Sequence, residues 1–249
     1  MSQLPHLAHG WAVANLEARI TAHVHAWEQA RGDGQPLAPE AFPFITISRE
    51  FGCQGLVFAN QLQETLNHRF RPFFQWVAYD RELLDKVATE LHLARAFVET
   101  VDGQRRNEMS ELFDTILNQR VNESIVIRKL AEVIRAIAIH GNAIIVGRGS
   151  YLITQDLRNG LHIRLVAPRD WRVHNVAVAH NVSEGEASKL VEENERGRER
   201  YIKTFFNCDP THPFYHDVTI DNSRFNLVQI SEIVLAALAG RFGETLAKG

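Results

Sequence analysis

At 249 residues, with 45% hydrophobic and 23% charged side chains, the chain has the composition of a soluble globular protein long enough to bury a sizeable core. A formal charge of -3 gives no global basic field, which argues against nucleic acid as a partner and leaves any anion site to a local arginine cluster. Cys53 and Cys208 are too few for a disulfide framework or a zinc site, and no long apolar run or secretory start is present, so a cytoplasmic protein without a membrane partner is expected.

Residues 10–30 read as an amphipathic helix, with Val13, Leu16, Ile20, Val24 and Trp27 repeating every three or four positions. The segment 31–39, rich in glycine and proline, is a linker, so residues 1–40 form an appendage to a domain over 41–249. Packing on the core and packing on a second copy of the chain, as a homo-oligomer, both remain open for that helix. Phe44 to Ser48 is a buried strand, followed by a turn with Gly52 and Gly55 and a helix from Leu56 to about Leu66. A strand that feeds a glycine turn into a helix N-terminus suits phosphate, because the first helical N–H groups lack partners and the helix dipole is positive there. The full phosphate-loop pattern is nevertheless missing: no lysine follows the second glycine and no hydroxyl follows that.

Gln75 to Tyr79 is a second strand ending on Asp80 and Arg81, and from Glu82 to His140 the pattern is helical, broken near Asp102-Gly103, with Leu112, Ile116, Val121 and Leu130 among its apolar stripe. Ala143 to Gly147 is a central strand that delivers Arg148, Gly149 and Ser150 to its carboxyl end. His162 to Val166 is a fourth strand, ending near Arg169 and Arg172, and Ser183 to Glu186 is a capping box that opens a helix carrying Arg196, Arg198, Arg200 and Lys203. Asp217 to Asp221 is a fifth strand and Leu227 to Arg241 a closing helix. Strands alternating with helices predict an α/β fold with a five-stranded parallel sheet covered on both faces. Side chains at the carboxyl ends of such strands face the ligand crevice, and four of these strand ends carry polar groups. Taken alone, the basic run from Arg196 to Lys203 also fits an ordinary solvated helix face.

The motifs Ile45-Thr46-Ile47-Ser48-Arg49-Glu50-Phe51-Gly52, Tyr79-Asp80-Arg81-Glu82-Leu83-Leu84, Gly147-Arg148-Gly149, Arg196-Gly197-Arg198-Glu199-Arg200-Tyr201 and Ile220-Asp221-Asn222-Ser223-Arg224, in this order, resemble the cytidylate kinase-like family of nucleoside monophosphate kinases. The resemblance spans about Phe44 to Arg241. It implies a P-loop core that moves the γ-phosphoryl of ATP, with Mg2+, to a nucleoside monophosphate, a CMP-like acceptor being favoured. In that scheme Ser48, Gly52, Cys53, Gln54, Gly55 and Leu56 form the donor-phosphate loop, and Asp80, Arg81, Lys86 and Arg148 bind the acceptor. Residues 82–140 are then the acceptor-binding insertion, and 192–210 a lid that brings Arg196, Arg198, Arg200 and Lys203 over the phosphates. Arg49, Arg148 and Arg198 are the implied catalytic cations; no metal ligand is assigned.

The departures from the family pattern are as informative. Cys53, Gln54, Leu56 and Val57 replace a serine, a glycine, an arginine and a glutamate, and Gly149 replaces an aspartate. Gln54 is expected to restrict the backbone where glycine would allow a positive φ. With the lysine gone, Arg49 is the nearest cation, although a salt bridge to Glu50 or to a lid carboxylate would occupy it equally well. The alternative function is a catalytically degenerate kinase-like module that binds a nucleotide or phosphate ligand for regulation or interaction.

Overall fold

A computed structural model of the chain describes residues 42–72, 75–89 and 124–246. The helix expected over 10–30, its linker, and the stretch carrying the Asp102-Gly103 break, Leu112, Ile116 and Val121 lie outside the described residues. In chain order the elements are β1 (Phe44–Arg49), α1 (Gly55–Phe70), β2 (Val77–Tyr79), α2 (Arg81–Thr89), α3 (Ser124–His140), β3 (Ala143–Val146), α4 (Ser150–Ile153), β4 (Gly160–Val166), α5 (Arg169–His180), α6 (Glu184–Phe206), β5 (Val218–Asp221) and α7 (Leu227–Leu246).

All strand pairs are parallel, in the order β2-β3-β1-β4-β5, with Ile45 opposite Ile144 on one side and Leu161 on the other. From β1 the chain goes to one side for β2 and β3 and to the other for β4 and β5. Loops leaving the carboxyl ends of adjacent strands therefore diverge beside β1, the place where open α/β sheets bind ligands.

Alternation along β1 divides the core. Phe44, with Ala143 and Ile145, packs on Leu83, Leu84 and Val87 of α2, on the apolar stripe of α3 and on Tyr151 of α4. Ile45 and Ile47, with Ile144 and Val146, pack on Phe58, Leu62 and Leu66 of α1 and on Ile230, Val234 and Leu238 of α7. At roughly 1.5 to 3 kcal/mol for each fully buried aliphatic side chain, these two layers fix the orientation of the strand ends.

The differences from the expected boundaries have local causes. β2 starts at Val77 rather than Gln75 because Asn67 takes both backbone groups of Trp76, accepting its N–H at 2.7 Å and donating to its carbonyl at 3.0 Å. α7 runs past Arg241 to Leu246, with non-helical backbone at Phe242. The capping box forms as expected, Ser183 Oγ accepting from the Glu186 N–H while the Glu186 carboxylate accepts the Ser183 N–H at 3.0 Å. No helix among the described residues is long and apolar enough to cross a membrane.

Candidate functional site

The loop between β1 and α1 turns through Gly52 at φ 95° and Gln54 at φ 52°. Gln54, expected to resist a positive φ, adopts one and is the N-terminal cap residue of α1. The loop therefore makes its turn at the cost of a left-handed non-glycine residue. No side chain caps α1 and no acidic residue lies in its first turn. Its first backbone bond is Phe58 N–H to Gln54 O at 3.0 Å, which leaves the N–H groups of Gly55, Leu56 and Val57 without a partner inside the helix. The Cys53 N–H, by contrast, is used by Glu50 O at 3.2 Å. Burial, with Glu50 nearby, pushes the Cys53 thiol up to about 12, so it is no nucleophile.

Arg49 crosses this loop. A Cβ on Gly55 would meet the Arg49 Cγ at 2.9 Å, so the stem of the arginine lies where a side chain at position 55 would begin. Its guanidinium continues to the backbone of Gly147, at the end of β3. Burial, reinforced by the cations of Arg198 and Arg81 and opposed by Asp80, lowers Arg49 to about 10, which leaves it charged at neutral pH. Neither a Glu50 pair nor a lid pair forms at Arg49 among the described residues, because Glu50 faces Arg172 at 3.3 Å and Arg164 at 3.9 Å.

Two chambers open beside Arg49. The inner one, about 190 Å3, is lined by Ser48, Glu50, Tyr151, Arg164, Arg172, Glu195 and Thr211 among others; the outer, about 520 Å3, by Phe51, Arg81, Glu193, Asn194 and Gly197. Arg49, Arg148, Arg198 and Tyr201 line both. Arg198 is half-buried and held below its ordinary pKa by desolvation despite Glu195 and Glu50, and no ion pair to it forms among the described residues. Arg148, at φ 54° between two glycines, pairs with Asp85 of α2 and stacks over the Tyr201 ring at 5.7 Å. The Phe206 ring occupies the side-chain space at Gly149, where a Cβ would meet Cε2 at 2.7 Å, and the glycine backbone is at φ 69°.

Other expected residues serve different ends. Asp80 caps α2, accepting the Leu83 N–H at 2.8 Å, and neither it nor Lys86 lines a chamber. Arg81 does, on the outer side. Gly52 to Leu56 contribute to neither chamber wall, and Leu56 is exposed. Of the lid cations, Arg198 alone turns inward: Arg196 pairs with Glu192, and Arg196, Arg200 and Lys203 are exposed. The reason is helical period, since positions 195, 198 and 202 share a face while 196, 200 and 203 share the opposite one. Arg172 is consumed by structure, donating to Ala167 O at 2.9 Å, to Phe51 O at 3.2 Å and to Glu195. Arg169 is on the surface, bonded to Ser188 at 2.6 Å.

Sequence reasoning missed Asp85, Tyr151, Arg164, Tyr201 and Thr211. The parallel register that sets Arg164 of β4 beside Ser48 of β1 was the missing information. Asp85 lies one helical turn after Arg81, a signal that was readable.

A β2-β3-β1-β4-β5 parallel sheet whose first strand turns into an uncapped helix, with cations gathered over that turn, defines a P-loop kinase fold. The chain belongs to the cytidylate kinase-like family, whose model matches residues 44–224. An uncharacterized protein from Eubacterium ventriosum has a similar structure, with TM-score 0.63 and 20% identity over 80% of this chain and 99% of that one. Shikimate kinase from Bacteroides thetaiotaomicron aligns with TM-score 0.41 and 14% identity over 80% and 98% of the two chains. TT1252 from Thermus thermophilus aligns with TM-score 0.40 and 18% identity over 79% and 98%. No curated protein matches the chain by sequence.

Proposed function

We propose that this chain transfers the γ-phosphoryl of ATP to a nucleoside monophosphate, with a CMP-like acceptor favoured by the family to which it belongs. One observation carries the reading: two chambers meet at Arg49, Arg148 and Arg198, so ligands in each would bring their phosphates to the same three cations. Phosphoryl transfer asks a protein for alignment and positive charge more than for covalent chemistry. The N–H groups of Gly55, Leu56 and Val57 and the α1 dipole lie outside both chamber walls, and suit donor phosphates that extend past Arg49 from the chambers to the loop. Arg49 supplies the point charge that a P-loop lysine usually gives, entering over Gly55 from the preceding strand. Arg198 spans the junction from the lid, and Arg148, steadied by Asp85 and Tyr201, is set for the acceptor phosphate. Among the described residues there is no cluster of three metal-ligating side chains, so a Mg2+ would be carried by the nucleotide's phosphates and waters rather than by a protein cage, and no step here runs through it. Residues 41–249 form the catalytic domain in this reading, with residues 1–40 appended.

A coupled ADP-release assay against a panel of nucleoside monophosphates, run beside thermal shifts with ATP and Mg2+, tests the proposal. Release with one acceptor is the expected result. A thermal shift without turnover on any acceptor would instead establish a nucleotide-binding module that has lost its chemistry.

A further inference from the structure

Tyr151 lines the inner chamber, and the reading above gives its hydroxyl no role. Tyr151, at the start of the short helix α4, is 4% exposed, and its hydroxyl has no hydrogen-bond partner among the described residues. Buried polar groups are nearly always paired, so an unpartnered one on a residue that lines a cavity points to a ligand. Its ring is held in place: the His216 ring lies 4.6 Å away and the Tyr215 ring 6.0 Å, centroid to centroid. His216 contributes a second buried atom without a partner, Nε2.

The surrounding charge fits an anion. Arg164 and Arg198 both act on the Tyr151 hydroxyl, and burial nevertheless pushes the phenol up to about 12, so it stays protonated and able to donate. Of the chamber's cations, Arg172 is matched by Glu50 and Glu195, and Arg148 by Asp85. Arg164 gives one N–H to Pro210 O and faces Glu50 only at 3.9 Å. Arg198 has no ion pair among the described residues, and Glu199 is the one further carboxylate on the wall.

We infer that Tyr151 determines ligand specificity in the inner chamber, donating its hydroxyl to an anionic oxygen, of a phosphate ester or a carboxylate, whose neighbouring oxygens face Arg164 and Arg198. The inference rests on the kinase reading, in which this ligand is one of the two reactants, but it can be tested without turnover. Titration calorimetry on the full chain would compare the parent with Tyr151→Phe, using CMP, inorganic phosphate, malonate and a non-hydrolysable ATP analogue. The variant removes one oxygen and keeps the ring and its packing, so the fold should persist.

The expected result is a loss of about tenfold or more for one anion, as for a lost charge-assisted hydrogen bond, with the ATP analogue unaffected and the melting temperature equal or higher. A loss with CMP and phosphate assigns a phosphate ester; a loss with malonate alone assigns a carboxylate. Equal affinity for every anion in parent and variant, no anion binding by the parent, or an equal loss for the ATP analogue would each overturn the inference. A parent that binds the ATP analogue but no anion removes the inference and leaves the kinase reading standing. One that binds phosphate through Tyr151 but no ATP analogue does the reverse.

Discussion

In the proposed kinase reading, Gly55 and Arg49 divide between two residues what a P-loop ordinarily places on one. The glycine yields its side-chain space to the stem of the arginine, 2.9 Å from where a Cβ would stand, and the arginine brings the charge. A lysine placed at position 55 would then force Arg49 aside rather than add a cation. Gly55→Lys is accordingly expected to lower both stability and ATP affinity, read by thermal melts and titration with a non-hydrolysable analogue. Arg49→Ala should abolish turnover and weaken the analogue by about 1.5 to 3 kcal/mol, the range for a hydrogen bond to a charged group. It should do so without lowering the melting temperature, because a half-buried guanidinium with no paired carboxylate contributes little to folding. Unchanged analogue binding in Arg49→Ala would remove the arginine from the donor site. The neighbouring Gln54 carries the opposite signature, a backbone at φ 52° that glycine adopts freely. Gln54→Gly should stabilise by about 1 kcal/mol, some 2 to 4 °C in a melt, and a lower melting temperature would show that the Gln54 side chain compensates its backbone. The sequence offered Arg49 as a candidate cation but not its path over Gly55, because side-chain direction depends on what the next strand leaves open.

At the scale of elements, α6 decides which cations face the chambers. Its capping box and basic run were legible, but three arginines within five residues resolve into one inward side chain and two outward ones once the helix continues unbroken from Glu184 to Phe206. A lid loop would have allowed all three to converge; a helix packed on α5 through Ala187, Val191, Val173 and Val176 does not. The charge pattern was visible in the sequence, whereas the phase of the helix followed from that packing. Arg198→Ala is expected to cut ligand affinity or turnover by about 1.5 to 3 kcal/mol, with the melting temperature nearly unchanged. Arg196→Ala and Arg200→Ala should each stay within about 0.5 kcal/mol of the parent, since exposed pairs such as Arg196 with Glu192 contribute little. Equal losses from all three would mean that α6 unwinds over the ligand and that the inward face described here does not govern binding.

Across the whole molecule the apolar pattern carried most of the fold: five strands, their alternation with helices and the two covered faces follow from periodicity at Ile45, Ile47, Ile144 and Val146. A polar row through the sheet was not legible, because it depends on register. Thr46 on β1 meets His162 on β4, Oγ1 to Nδ1 at 2.8 Å, and the His162 N–H donates to Asp217 at 2.7 Å. Desolvation lowers His162 from 6.5 to about 4, against the pull of Asp217 and with Arg241 in the same direction. Burial likewise lowers His216 from 6.5 to about 4, with Arg164 and His162 assisting and Asp217 opposing. Both folded pKa values lie below the unfolded one, so the neutral forms favour the native state. Their contribution is fully present above about pH 6.5 and is lost as the pH falls toward 4. The carboxylates held below their ordinary range, Asp156 by its Arg135 partner and Asp221 by Ser223, act in a lower window, beneath about 4. Melting temperature should therefore fall measurably between pH 7 and pH 5, before those carboxylates titrate. Replacing both histidines, as His162→Gln with His216→Gln, should flatten that slope even if it lowers stability at pH 7. Melts of parent and double variant at pH 7, 6 and 5 provide the comparison, and parallel slopes would mean that the acid sensitivity of the fold arises outside this row.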